Sequence, residues 1–456
     1  MHLHILGICG TFMAGIAQLA IELGHHVTGS DANVYPPMSR FLEHQGIIIH
    51  EGYDIAQLDP TPELVLIGNA LSRGNGAVEY VLDHHIPYRS GAQWLAEEVL
   101  QGRHVIAVSG THGKTTTTSI LTWILTQCGR QPGYLIGGIA QNFDHPAALG
   151  DGEYFVIEAD EYDTAFFDKR SKFVHYRPDT LIINNLEHDH VDIFPDLDAI
   201  KRQFHHLLRT VPASGSVIFH AADEAIRDVL DQGCWSRCES FGFEQPCDWQ
   251  LAAFNECAGT SFTLKNKRDD PVTVMSPLLG HHNALNASAA LCAALAVGVP
   301  LSDALAALTS FGGVKRRLEI VGSVNGITLY DDFAHHPTAI QATLAALRGN
   351  VAGERIICLV EPRSNTMRMG IHAGRIASAL QQADLVFVYA DAGLTWDPRA
   401  LLDDVNGHCM SNIDDIINAV VAEAKVNDHI IMMSNGGFAG IQGRLLARLL
   451  ETHGSN

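Results

Sequence analysis

The chain has 456 residues, with 30 Lys and Arg against 51 Asp and Glu and a formal charge of −21. That length exceeds one ordinary hydrophobic core and predicts two or three domains. The acidic balance argues against nucleic acid or an anionic membrane as a bulk partner but leaves room for a local phosphate site, and no apolar run reaches the ~18 residues of a membrane span.

The chain opens with a predicted strand at His2–Leu6, a turn at Gly7-Ile8-Cys9-Gly10 and helical spacing from Phe12 to Leu23, closed by Gly24. A second strand starts at His26 and leads into Ser30 and Asp31. This is a βαβ nucleotide-binding opening, with Asp31 placed to bond a ribose hydroxyl. Cys9 and Phe12 stand where a dinucleotide fingerprint requires glycine, which disfavours a nicotinamide dehydrogenase. Further strands are predicted at Ile47–Ile49 and Leu64–Ile67, apolar in the manner of a parallel sheet. Ser72 and Arg73 follow in a polar loop at a strand's C-terminal end, where such sheets bind ligands.

The next segment carries the strongest signal. Val105–Val108 is a short buried strand, Ser109–Gly113 a turn with Gly110 and Gly113, and Lys114 and Thr115 open a helix. Strand, glycine turn and helix N-terminus make a phosphate cradle formed by Gly110, Thr111, His112, Gly113, Lys114, Thr115 and Thr116. There Lys114 reaches the terminal phosphates and Thr115 can ligate Mg²⁺. The usual motif has a glycine where Val108 stands, so the generic match is imperfect. Two apolar strands then end in polar runs: Tyr154–Ile157 before EADEYD (158–163), and Thr180–Ile183 before NNLEHDH (184–190). Acidic and imidazole groups at strand tips beside a phosphate loop point to a metal–phosphate site.

Nine cysteines, an odd number, lie scattered along the chain. Without a signal peptide they predict reduced thiols in a cytoplasm. Cys234, Cys238, Cys247 and Cys257 lack a CxxC pair and read as incidental rather than as a zinc site. His282 and Asn286 share a face if a helix begins there. Gly312-Gly313 reads as a hinge before Lys315-Arg316-Arg317. A third α/β unit follows, with strands at Thr328–Tyr330, Ile356–Val360, Leu385–Tyr389 and His429–Ser434.

Six stretches in order, GTHGKT (110–115), EADEYD, NNLEHDH, GHHNALNASAA (280–290), KRRLE (315–319) and DDFAHHP (331–337), resemble the successive signatures of the Mur ligases. The resemblance implies an α/β protein of three domains. These are a Rossmann-like UDP-sugar-binding domain over 1–102, a central P-loop ATP-binding domain over 103–313, and a C-terminal Rossmann-like peptide-binding domain over 314–456. It implies ATP and Mg²⁺ as cofactors, with Glu158 and His190 holding a second Mg²⁺. It also implies contacts to the nucleotide from Asn286 and Arg317, with Asp332 and His335 arriving on the third domain. Lys114, Glu158, His190 and Arg317 would carry catalysis.

Within the family, GICGTFMAGIA (7–17) and the His-His-Pro segment are similar to the branch acting on UDP-N-acetylmuramate. That places Cys9, Gly10, Thr11, Phe12, Asp31, Ser72 and Arg73 on the sugar nucleotide. SDANVYPPMS (30–39), IGNALSRGN (67–75), FDKRSKFVHYRPDTLI (167–182), EPRSNTMRMG (361–370) and SNGGF (434–438) resemble the members that add a recovered murein tripeptide, L-alanyl-γ-D-glutamyl-meso-diaminopimelate. Arg363 and Asn365 would then meet the peptide's carboxylates. The implied reaction passes through an acyl phosphate on the lactyl carboxylate, in a monomer or weak dimer. L-alanine as the added group stays open, as does, more distantly, a nucleotide-switched regulatory protein. Related ligases carry a carbamoylated lysine beyond the metal histidine; the corresponding count here reaches His205, beside His206, and finds no lysine.

Overall fold

A computed structural model describes residues 1–34, 38–191, 193–243, 246–256, 259–267 and 270–454; Cys257 lies outside them. Strands β1 (His2–Leu6), β2 (His26–Asp31), β3 (Ile48–Glu51), β4 (Leu64–Ile67) and β5 (Tyr88–Ser90) form a parallel sheet in the order β3-β2-β1-β4-β5. The order reverses between β1 and β4, and the loops after those two strands flank the crevice where such sheets bind ligands. The first helix, Thr11–Glu22, begins there.

The central sheet comprises β6 (His104–Ser109), β7 (Gly133–Leu135), β8 (Ala147–Ala148), β9 (Tyr154–Glu158), β12 (Thr180–Ile183), β13 (Ser216–His220), β14 (Arg237–Gly242), β15 (Trp249–Asn255), β16 (Thr260–Asn266) and β17 (Val272–Ser276), with β10 (Asp163–Ala165) and β11 (Asp168–Ser171) forming a separate hairpin. Its order is β17-β16-β15-β14-β13-β12-β6-β9-β7-β8. Because β6 lies between β12 and β9, the loops after all three emerge side by side, which brings the glycine turn and both polar runs to one edge. The turn and helix seen in the sequence extend as predicted, with the helix running Lys114–Gln127.

The third sheet has the order β18-β19-β23-β20-β21-β22, from β18 (Glu319–Val324), β19 (Ile327–Asp332), β20 (Ile356–Val360), β21 (Leu385–Tyr389), β22 (Gly407–Met410) and β23 (His429–Met433). All its pairings are parallel except β18 with β19. β5, β7, β8, β10, β11, β13, β14, β18, β22 and the antiparallel β15–β17 extension were not legible in sequence. β16 alternates buried Phe262 and Leu264 with polar Ser261, Thr263 and Lys265, while β15 buries only Leu251 and shifts register after Ala252, so neither presents an unbroken apolar run.

Packing divides the molecule differently from its sheets. One apolar cluster runs from Leu3, Ile16 and Leu19 in the first unit through Leu135 and Phe155 to Leu181 and Phe204 in the central one. Gly15 permits this approach, since a Cβ there would sit 3.3 Å from the Leu135 side chain. The third sheet keeps two clusters of its own, one on each face. The expected Gly312-Gly313 hinge is strapped down: Gly312 N–H donates to Asn142 (2.7 Å) and Gln141 N–H to Gly313 (2.9 Å). The chain turns instead at Arg316 (φ 60°) and Leu318 (φ 51°), where bulky residues sit in the left-handed region at a cost in strain.

Candidate functional site

The glycine turn is built for close approach. Gly110 has φ 129°, and a Cβ there would meet the Asn185 backbone at 3.0 Å. At Gly113 (φ 80°) a Cβ would collide with Asn286 Oδ1 at 2.3 Å. Asn185 holds the turn from the other side: its carbonyl accepts from Thr111 N–H (3.0 Å) and its side-chain oxygen from His112 N–H (2.7 Å). Lys114 folds over the loop and donates to Gly110 O (2.6 Å) and Glu161 Oε2 (2.9 Å). Thr115 Oγ1 donates to Glu158 Oε1 (3.0 Å), and Thr116 is buried beside it.

Two buried carboxylates divide the work. Burial raises the pKa of Glu158 against the pull of Lys114, and Gly137 N–H donates to its second oxygen (2.7 Å). Burial also opposes ionisation of Glu161, but Lys114 and His190 outweigh it and hold the group down at about 2. For Lys114, desolvation is overcome by Glu161, Asp160 and Glu158, so the ammonium is held above its ordinary range. His190 is likewise raised despite burial, chiefly by Glu161, whose Oε1 lies 3.2 Å from Nε2. Its Nδ1 meets the Tyr162 hydroxyl at 2.7 Å. The structure thus brings Thr115 to Glu158, and His190 to Glu161. Glu161 does not stand out in the sequence because the four acids of EADEYD look alike until the strand end fixes which of them turn inward.

The third sheet meets this edge. Asn286 accepts from Thr117 Oγ1 (3.3 Å) and donates to Asn283 (3.1 Å). Arg317 has its guanidinium 4.9 Å from the Phe333 ring centre. No protein acceptor meets that guanidinium among the described residues. Asp332 is committed to backbone: Leu318 N–H (2.7 Å) and Ala334 N–H (2.8 Å) donate to it, and burial raises its pKa. His335 is neutralised by burial, its pKa down at about 4, and its Nδ1 lies 2.9 Å from Phe333 O. Beside them Glu187 Oε2 lies 3.3 Å from His112 Nε2 and 3.2 Å from His336 Nδ1, and it accepts from Thr338 Oγ1 at 2.8 Å. This clasp joins the phosphate loop to the third unit. Histidines in a His-His-Pro string carry no sequence mark of which neighbour they meet.

A cavity of about 990 Å³ connects these parts. It is lined by Thr11 and Phe12 at the first helix, by the phosphate loop, and by Glu158, His190, Asn286, Arg317, Asp332 and His335. Cys9, Gly10, Asp31, Ser72 and Arg73 do not line it. Asp31 accepts from Cys9 N–H and Asn33 N–H (2.9 Å each), fixing the first turn. Arg73 is exposed and pairs with Glu79 at 2.9 Å. A second cavity of about 230 Å³ adjoins at His190 and His335 and is lined by Arg363, Ser364, Asn365, Thr366 and Asn435. His205 lies elsewhere, in the helix Leu197–Leu208, stacked on Trp235.

Three α/β units turned onto one phosphate loop, with a buried lysine and flanking acids, define a multidomain phosphate-loop enzyme. The chain belongs to the Mur ligase family. Residues 2–103 match the Mur ligase family catalytic domain, 108–294 the Mur ligase middle domain, and 316–436 the Mur ligase glutamate ligase domain. It is 52% identical over 455 residues to the UDP-N-acetylmuramate–L-alanyl-gamma-D-glutamyl-meso-2,6-diaminoheptandioate ligase of Haemophilus influenzae, covering 98% of this chain and 99% of the relative. It is 54% identical over 454 residues to the ligase of the same name from Escherichia coli, covering 99% of each. The crystal structure of a murein peptide ligase from Psychrobacter arcticus superposes with a TM-score of 0.77 at 47% identity, covering 98% of both chains. No helix among the described residues is long and apolar enough to cross a membrane.

Proposed function

We propose that the protein is an ATP-dependent ligase that joins L-alanyl-γ-D-glutamyl-meso-diaminopimelate to UDP-N-acetylmuramate. The observation that carries this reading is the continuous cavity from the first helix, past the phosphate loop, to the third unit, with an arginine- and asparagine-lined annex. Relatives bearing that substrate pair in their names, at 52% and 54% identity over nearly the whole chain, support it.

In this reading the sugar nucleotide enters over the first helix and directs its lactyl carboxylate at the phosphate loop. Lys114, released from Gly110 O and Glu161, takes the terminal phosphates of ATP, while Asn286 and Arg317 hold the nucleotide from the far side. The carboxylate attacks the γ-phosphoryl group, ADP leaves, and the peptide's amine displaces phosphate from the acyl phosphate. Such chemistry needs alignment and charge neutralisation more than a protein nucleophile. Thr115 and Glu158 offer hard oxygen donors, and a cation would relieve the cost of burying Glu158, so this pair fits Mg²⁺. Bound there, Mg²⁺ would neutralise phosphate oxygens. Glu161 and Tyr162 orient His190 on the wall of the same cavity.

The test is phosphate release by the whole protein. Fast release is expected only when ATP, UDP-N-acetylmuramate and tripeptide are present together. Equal turnover with L-alanine would move the chain to the alanine-adding reaction, and release without any amine would exclude a ligase.

A further inference from the structure

Lys172 stands out among the buried charges. It begins a short 3-10 turn, Lys172–His175, after β11, and only 7% of it is exposed. Two neighbours in the same basic run are paired on the surface, Lys169 with Asp163 (2.6 Å) and Arg170 with Asp168 (2.7 Å). Lys172 instead turns inward. Its ammonium has no hydrogen-bond or carboxylate partner among the described residues. It lies between two aromatic rings, 5.2 Å from the centre of Phe12 and 5.6 Å from that of Tyr162. The stem is buried, while the ammonium tip opens on the cavity of about 990 Å³, where cation–π contact alone does not satisfy its three N–H donors.

The other wall of the same cavity is the start of the first helix. Gly10 caps that twelve-residue helix with no side-chain acceptor, and the N–H groups of Thr11, Phe12 and Met13 find no acceptor among the described residues. Thr11, Phe12 and Lys172 all line the cavity. A row of free N–H groups at a helix N-terminus favours an anion. An unpaired ammonium, held on a buried side chain of the facing unit and open to the cavity, does so independently. The backbone holds Lys172 in place, since its N–H donates to Tyr162 O (2.9 Å) and Ser171 Oγ donates to Glu161 O (2.5 Å).

We infer that Lys172 is a binding residue for an anionic group of the sugar nucleotide, reaching from the central unit to complete a site opened by the first helix. The inference rests on the proposed sugar-nucleotide reading. The anion is either the diphosphate or the lactyl carboxylate, which share charge and acceptor oxygens but differ in whether UDP-N-acetylglucosamine also carries them.

Calorimetric titration of the full-length protein separates the cases. In Lys172→Met, a loss of ten-fold or more for both UDP-N-acetylglucosamine and UDP-N-acetylmuramate assigns the diphosphate. The same loss for the muramate alone assigns the carboxylate. Lys172→Arg should recover most of the affinity, and ATP binding should stay within two-fold of wild type. Unchanged binding of both sugar nucleotides overturns the inference, as does an equal loss for ATP, which a merely structural lysine would produce. Should Lys172→Met not fold, acetylation of the wild type decides: either sugar nucleotide must slow labelling of Lys172, and unslowed labelling overturns the inference. A wild type that binds neither sugar nucleotide defeats the proposed function itself, whereas an unchanged variant defeats only the role of Lys172.

Discussion

At the scale of single residues, Glu161 connects the two halves of the phosphate site. One oxygen holds Lys114 and the other faces His190. Glu161→Gln removes the charge that fixes both. Turnover should fall at least ten-fold, about 1.4 kcal/mol in the barrier. ATP affinity should hold, because phosphate oxygens can replace the carboxylate on Lys114. A parallel loss of turnover and ATP affinity, in steady-state and binding measurements together, would contradict this division. Arg363 offers a second test. Its guanidinium borders the smaller cavity and lies 3.9 Å from Glu361 Oε1, too far for a strong pair. By contrast Arg368 is committed to Asp391 at 2.6 Å, and Arg375 reaches Thr338 at 3.3 Å. Losing one charge-assisted bond costs roughly 1.5–3 kcal/mol, so Arg363→Ala should raise KM for tripeptide about ten- to a hundred-fold and leave that for ATP unchanged. An effect confined to ATP would remove Arg363 from the peptide site.

At the scale of elements, the clasp between the NNLEHDH loop and the helix Pro337–Val351 sets how tightly the third unit sits on the phosphate loop. His336 caps that helix, its Nδ1 accepting from Thr338 N–H, while Thr338 Oγ1 donates to Glu187. Glu187→Gln should weaken this grip, and the radius of gyration from solution scattering should rise in the ligand-free variant. An unchanged radius would show that the clasp does not hold the units together. In the first sheet, His4 is fully buried between Thr28 and Ser30 at 2.8 Å each. Ser30 Oγ donates to Gln57, so it must accept from His4, which leaves Nδ1 to accept from Thr28. Burial, then His2 and His50, lower the ring's pKa to about 4 from its ordinary 6.5. The neutral ring therefore contributes stability in full above pH 6.5, and this is lost as pH falls toward 4, up to roughly 3 kcal/mol. Denaturation midpoints at pH 7.5 and 4.5 should converge in His4→Asn; an undiminished gap would assign the acid sensitivity elsewhere.

Elements of this kind also explain what a linear reading can see. The phosphate loop was legible because its parts are consecutive: an apolar strand, glycines with obligatory φ, and a helix start. Thr180–Ile183, Ile356–Val360 and Leu385–Tyr389 were legible to the residue because buried parallel strands are unbroken apolar runs. The partners of those parts were not. Glu161, Glu187, Lys172 and His336 act through neighbours far away along the chain, and composition cannot choose among several like residues at a loop. Cys9 and Asp31 read in sequence as ligand contacts; their bond to each other, which shapes the turn, could not be read there.

At the scale of the molecule, the three sheets do not amount to three independent bodies. The first helix rests on β7 and β8, and Glu22 at its far end accepts from Leu149 N–H at 2.7 Å. Apolar side chains pass from one unit to the next without a polar layer between them. Beyond Val314 at its start, the third unit joins no such cluster among the described residues, and it is tied on by the short bridge at Ala140 and Val314, the clasp and the strained turn at Arg316–Leu318. Heat should expose this division. A cooperative melt requires side chains that lose their packing together, so the first two units should melt as one and the third by itself. Differential scanning calorimetry is expected to resolve two endotherms, the smaller belonging to the third unit, and a nucleotide gripped by both should merge them. A single endotherm in the free protein would mean that the polar clasp transmits as much cooperativity as a continuous core.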